Sequence, residues 1–336
     1  MQPWIHKAKT DSLFILLPPF LVLAVIVLFQ KEILWAEQHY SFYTWLFLIV
    51  FIDVAHVYAT LFKTYFVASE FQKRKKLLIG VPIACFGIGM LLFSFGSAVF
   101  WSVLAYIAVF HFIRQQYGFM RLYSRNEARI KTNKYFDSLV IYTATGYPML
   151  YWFLSPQRNY SWFMPQEFLQ FESSFLIDIG TVLYCGILSV YVVRTLYLAV
   201  KERYFNVPKN MVIVGTALSW YFGIVYFNQD LIFTALNVVS HGIPYMALVY
   251  LKEVKQKEEV EAVSRSRINY RSLLFYVGIL LGIAFAEEYL WEITVWQEHF
   301  STASFDFSAL HFLLVPLLVV PQFTHYILDG FIWKSK

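Results

Sequence analysis

The chain contains ten long runs of apolar residues, and this feature constrains its fold more than any other. Hydrophobic residues make up 59% of the 336 residues and charged residues only 15%, whereas soluble domains are about a quarter charged. Crossing the hydrocarbon core takes about 20 apolar residues in a helix, and backbone exposed to lipid must satisfy its own hydrogen bonds. The sequence therefore predicts an all-α protein, a polytopic bundle of transmembrane helices.

The apolar runs place about ten spans along the chain. We predict them at residues 13–30, 42–62, 77–95, 98–113, 135–153, 174–198, 211–227, 231–250, 272–290 and 307–333. The whole chain, 1–336, is predicted to form one integral membrane domain, in which residues 252–271 are a charged cytoplasmic connector. No small-residue cleavage site follows the first run, so we interpret it as a retained helix rather than a signal peptide.

The basic residues support this count, because Lys and Arg collect on the cytoplasmic side of membrane proteins. With ten spans and a cytoplasmic N-terminus, all but two of the 27 basic residues fall inside, and the exceptions are Lys31 and Arg158. Both termini are therefore predicted to be cytoplasmic, in a plasma or inner membrane. The net charge of +5 is spread over short loops between spans, which argues against a nucleic-acid partner.

Five of the eight histidines fall within predicted spans. His311 lies near the outer end of the last span, and the other four lie deeper, where an ionisable group is costly and usually functional. They stand on the second, fourth, eighth and tenth spans, all of which run from outside to inside. Counted along the helix axis, they lie about 5 to 16 Å from the inner boundary. They are His56, His111, His241 and His325.

Polar side chains accompany these histidines at helical spacing. Three or four residues along a helix bring two side chains onto one face, and the companions that we single out are Asp53, Gln115, Asn237, Gln322 and Asp329. A histidine that binds a metal normally gives its second nitrogen to a carboxylate, amide or carbonyl. The four histidines are therefore candidate ligands, and the companions are candidate orienting groups or alternative oxygen ligands. A histidine in a helix bundle can also be a simple interhelical hydrogen-bonding residue.

These residues resemble the Brp/Blh-type membrane carotenoid dioxygenases. The similarity lies in Asp53 and His56 on an early helix, His111 two helices later, and the polar pair Asn237 and His241 on a late helix. The resemblance implies a histidine-ligated iron in a helical bundle that cleaves β-carotene to retinal. Asn237 stands where that family has a histidine, so the last helix would supply the fourth one.

The pattern as a whole favours a metal-dependent oxidoreductase, with a metal ion, Fe(II) first, as its cofactor. Its substrate would be an apolar membrane lipid or isoprenoid that enters from the cytoplasmic leaflet, and Tyr58, Tyr245 or Tyr326 could act as donors near the site. Two alternatives stay open. Intramembrane Asp and His are as typical of proton-coupled transporters, and paired histidines can hold haem.

Overall fold

This computed structural model describes residues 2–39, 41–127, 130–255, 270–297 and 306–333. Within these residues, the regular structure consists of thirteen helices. They are α1 (Ala8–Leu16), α2 (Pro18–Leu28), α3 (Gln30–Gln38), α4 (Phe42–Lys63), α5 (Ala68–Lys73), α6 (Lys75–Ser94), α7 (Ser97–Tyr123), α8 (Lys131–Leu154), α9 (Ser174–Glu202), α10 (Val207–Trp220, continued by Tyr221–Tyr226), α11 (Asp230–Lys255), α12 (Arg271–Trp296) and α13 (Ser308–Ile332).

Seven of these helices are long and apolar enough to cross a membrane, so the chain is an integral membrane protein. They are α4, α6, α7, α9, α11, α12 and α13. An eighth crossing is formed if α1 and α2, which meet at 53°, count as one broken span. Pro18 and Pro19 begin α2, and proline is favoured in the first turn of a helix but cannot continue the preceding one.

The structure contains a helix at each of the ten predicted places, but α8 and α10 are not among the candidate crossings. The total of ten spans, the single domain and the cytoplasmic position of both termini stay predictions. Of the predicted connector 252–271, residues 252–255 continue α11, and residues 256–269 lie outside the described part of the chain.

The largest correction to the predicted boundaries concerns α7. We expected this span to end at residue 113, but the helix continues to Tyr123. Arg114 interrupts the apolar run without breaking the helix, because arginine is itself a good helix former. His111 therefore lies twelve residues before the helix end, about 18 Å along the axis. Its depth from the membrane boundary stays a prediction.

The chain divides by its contacts into two units, residues 1–39 with 112–244 and residues 40–111 with 245–336. In the first unit, α8 packs against α9 and α10, and α10 packs against α1 and α2. In the second unit, α4 packs against α12 and α13, and α13 also packs against α6. Helices α7 and α11 belong partly to each unit.

Within α4, residues Leu46–Val54 form π-helical turns before the α-helix resumes at Ala55. Wide turns of this kind are rare and occur frequently at functional sites. The return to α-helical geometry comes directly before His56. It gives His56 and Thr60 the ordinary four-residue spacing that places both side chains on one helix face.

Gly215 tests the packing of α10 on α2. A methyl group at this position would lie 2.8 Å from Cγ of Pro19, whereas a methyl group at Gly186 of α9 would meet nothing within 4 Å. Because a proline ring cannot swing aside, we expect Gly215→Ala to destabilise the protein by about 1 to 3 kcal/mol. Gly186→Ala is the matched control and should not lower stability. Thermal unfolding in detergent measures both, and equal midpoints would contradict this packing.

Candidate metal centre

Three of the predicted histidines meet in the second unit. His56 on α4, His111 on α7 and His325 on α13 are all buried, with at most 3% of their surface exposed. The Nε2 atoms of His111 and His325 are 3.1 Å apart, and the ring of His56 lies 5.0 Å from that of His325. When no cation is bound, one Nε2 must carry a proton and donate to the other. A bound cation would instead accept the lone pairs of both Nε2 atoms.

A chain of hydrogen bonds holds the other side of the His325 ring. The Nδ1 atom of His325 is 2.7 Å from the hydroxyl of Thr60, which is 3.0 Å from the hydroxyl of Tyr245. Tyr245 in turn donates to Oδ1 of Asp329 at 2.6 Å. Since the chain ends at a carboxylate, we assign every donor to point toward it. His325 then carries its proton on Nδ1, and its Nε2 lone pair is available to a metal.

Two carboxylates lie behind the other two rings. Oδ1 of Asp53 is 3.7 Å from Nδ1 of His56, and Oδ2 of Asp329 is 3.8 Å from Nδ1 of His111. Carboxylates behind histidine ligands favour the tautomer that presents Nε2 and raise its basicity. Nε1 of Trp333 also donates to Oδ1 of Asp329 at 3.2 Å, so this carboxylate is held from two sides.

His241 belongs to the first unit, on the part of α11 that ends at Pro244. Its ring stacks on that of Phe112, with centroids 3.5 Å apart and planes 5° from parallel. Its backbone carbonyl accepts a hydrogen bond of 2.9 Å from Nε2 of Gln115. Phe112 and Gln115 therefore hold both the ring and the backbone of His241.

The four histidines together form a cluster that could hold a metal ion. One ring nitrogen from each of His56, His111, His241 and His325 lies within 4.8 Å of the other three. Bonds of about 2.1 Å place neighbouring ligand nitrogens about 3.0 to 3.4 Å apart and opposite ones about 4.2 Å apart. The 3.1 Å between His111 and His325 falls in the first range, and shifts below about 1 Å would bring the widest pair into bonding distance.

Charge balance also fits a divalent ion. Four neutral imidazoles would leave its two positive charges uncompensated in a buried site, which is strongly unfavourable. Asp53 and Asp329 lie beside the rings of His56 and His111, and when ionised they would supply two negative charges. The residues present thus match the charge of a divalent cation, with nitrogen ligands of the kind that suit iron, zinc or copper.

The companions predicted from spacing are not all placed as expected. Asp53 lies beside His56, as predicted. We expected Asp329 to contact His325, four residues earlier on the same helix, but Asp329 lies beside His111 of α7. Gln115 supports the backbone of His241 and not a ring. The amide of Asn237 donates to the carbonyl of Phe233 at 2.9 Å, and Gln322 is only half-buried, one turn before His325.

Thr60 is the site residue that sequence reasoning missed. It is buried, and it joins His325 to Tyr245. It follows His56 by four residues, so the spacing rule that selected Asp53 would also have found it. Its side chain is a neutral hydroxyl, whereas the companions predicted from spacing carry carboxylate or amide groups. Tyr58, considered as a donor to the site, instead donates to Glu287 of α12 at 2.5 Å.

Comparisons of the chain with protein-family models, with curated proteins and with solved structures found no match. The description of the site therefore depends on its own geometry.

Removing the hydroxyl of Tyr245 tests the hydrogen-bond chain. Tyr245→Phe leaves Asp329 and Thr60 without their shared partner, so His325 should lose its fixed orientation. We expect metal affinity to fall about 10- to 100-fold, measured by titration of the apoprotein with Fe(II) and Zn(II). Tyr276→Phe is the control, because Tyr276 is also buried but donates to the backbone of Met246. Equal affinities in the two variants would show that the chain has no part in metal binding.

Proposed function

We propose that this protein is a membrane-embedded, metal-dependent oxidoreductase that acts on an apolar lipid or isoprenoid. The observation that carries the proposal is the approach of four histidine nitrogens to within 4.8 Å of one another inside membrane-spanning helices. Four such ligands could hold one metal ion, and we propose Fe(II) as the resident ion. Iron held by imidazoles with an open position supports dioxygen chemistry.

The ion, when bound, would supply the binding and activation of dioxygen. The chain's own residues do the rest. His56, His111, His241 and His325 hold the ion, while Asp53 and Asp329 balance its charge. The hydroxyls of Thr60 and Tyr245 keep His325 in the tautomer that presents Nε2.

The surroundings favour an apolar substrate. Tyr326 tilts over His111 at 4.9 Å, and Phe112 stacks on His241. Aromatic walls around buried ligands exclude water and suit a flat or polyene chain. The similarity to the Brp/Blh-type carotenoid dioxygenases makes β-carotene the first substrate to test, and a lipid dissolved in the bilayer could reach the site laterally.

Metal analysis tests the centre directly. We expect protein purified anaerobically from iron-supplemented cells to contain about one ion per chain, since four ligands define one site. His111→Ala and His325→Ala each remove one ligand and should reduce the content at least about tenfold. The matched control is His39→Ala, because His39 is exposed and stacks on Trp35.

The iron-loaded protein should then consume dioxygen in the presence of β-carotene or another apolar polyene lipid, and the two ligand variants should not. A protein that contains no stoichiometric iron, zinc or copper would end the proposal. A metal-loaded protein without oxygen consumption would retain the metal centre but refute the oxidoreductase.

Haem fits this arrangement less well than a single ion. Two axial histidines on one haem iron would hold their nitrogens about 4 Å apart on opposite faces of a macrocycle. The Nε2 atoms of His111 and His325 are only 3.1 Å apart, and two further imidazoles would occupy the space of the porphyrin.

A proton-coupled transporter is the second candidate, and the chain from His325 through Thr60 and Tyr245 to Asp329 favours it. Such a chain can pass protons as well as fix a tautomer. Uptake driven by a pH gradient in vesicles of the metal-free protein would support transport over oxidation.

A further inference from the structure

We infer that Arg114, Tyr117 and Tyr142 form a binding site for the phosphate of an anionic membrane lipid. Arg114 lies on α7 and is exposed, in contrast to the buried Gln115 and Gln116 that follow it. Tyr142 lies on α8, and its ring stacks on that of Tyr117 with centroids 5.4 Å apart. The three side chains thus form a small polar patch on the surface of two neighbouring helices.

The depth of Arg114 makes its charge costly. The helix α7 has 27 residues, about 40 Å in length, against about 30 Å for the hydrocarbon core. Arg114 lies nine residues before Tyr123, so its backbone is about 8 Å inside the core when the helix is centred in the bilayer. A guanidinium at this depth needs a counter-charge or a route to the headgroups.

The partners within the protein are neutral. An Nη1 hydrogen of Arg114 is donated to the hydroxyl of Tyr142, and the guanidinium carbon lies 4.8 Å from the ring centre of Tyr117. Across the described part of the chain, the salt bridges involve other basic residues. A hydroxyl and a ring face orient the guanidinium but leave its charge uncompensated.

The chemistry of this patch matches a phosphate monoanion or diester. Arginine presents five N–H donors in a planar fork that fits two phosphate oxygens at once. The hydroxyl of Tyr142 accepts from Arg114, so its own hydrogen can be donated to the same anion. The ring pair beside it offers an apolar wall to the acyl chains.

The bilayer itself is the source of that anion. A patch on the lipid-facing surface of a spanning helix meets lipid headgroups drawn toward it, whereas a water-soluble phosphate would have to leave water to reach it. Basic groups near the headgroups attract anionic lipids by about 1 kcal/mol each, which is about a fivefold preference. The long side chain of an arginine can reach that level from a backbone inside the core. We therefore assign the occupant as a phospholipid with a net negative headgroup.

Spin-labelled lipids measure this preference. The protein is reconstituted in phosphatidylcholine vesicles. In one sample about 10% of the lipid is spin-labelled phosphatidylglycerol, and in the other about 10% is spin-labelled phosphatidylcholine. We expect the wild type to retain the anionic probe about fivefold more strongly. Arg114→Gln should lose this preference.

Three further variants separate the possible causes. Lys134→Gln removes an exposed positive charge at the start of α8, and the preference should survive. Arg114→Lys keeps the charge without the fork and should retain a weaker preference. Tyr142→Phe should reduce it by removing one donor. Inorganic phosphate in the buffer should not compete with the bound lipid.

Equal retention of both probes by the wild type would overturn the inference. So would an equal loss in Arg114→Gln and Lys134→Gln, because general surface charge would then explain the selectivity. Displacement of the probe by inorganic phosphate would refute a lipid source. Thermal unfolding of each variant confirms folding, and Arg114→Lys serves as the test if Arg114→Gln does not fold. None of these outcomes depends on whether the histidine cluster holds a metal.

Discussion

The hydrogen-bonding demand of a backbone in lipid is the constraint on which the rest of this structure depends. Hydrocarbon offers no partner to an N–H or C=O group, so the spans are helices that satisfy their own backbones. Their side chains alone can then carry polar chemistry, and each buried polar group needs a hydrogen-bond partner. The meeting of His56, His111 and His325 is one result of this demand.

Electrostatic balance explains why two carboxylates accompany the histidines. A divalent ion among neutral rings would be a large buried charge, and a carboxylate without a cation would be equally costly. Asp53 and Asp329 lie behind different rings. We interpret the cluster and its carboxylates as one unit whose charges compensate when the ion is present.

Arg114 illustrates the same rule at the lipid-facing surface. At the end of α4, the partly buried Lys63 meets a carboxylate, Glu253, at 2.6 Å. Arg114 meets only tyrosines among its described partners, so we propose that its compensating charge comes from the bilayer. We propose that one physical requirement applies both to the candidate metal centre and to the inferred lipid site, which share the helix α7.

The sequence by itself determined the fold class, the ends of the ten predicted helices to within six residues except at the end of α7, and the four histidines of the cluster. It did not predict the short helices α3 and α5. Hydropathy and residue spacing are local properties, and a helix fixes which side chains share its face. Only the tertiary structure decided that Asp329 lies beside His111 and that Thr60 links His325 to Tyr245. It also decided that the amide of Asn237 donates to a carbonyl of its own helix. These pairings depend on how packed helices are rotated and tilted against one another. Side-chain packing decides those angles, and residue spacing along one helix carries no information about them.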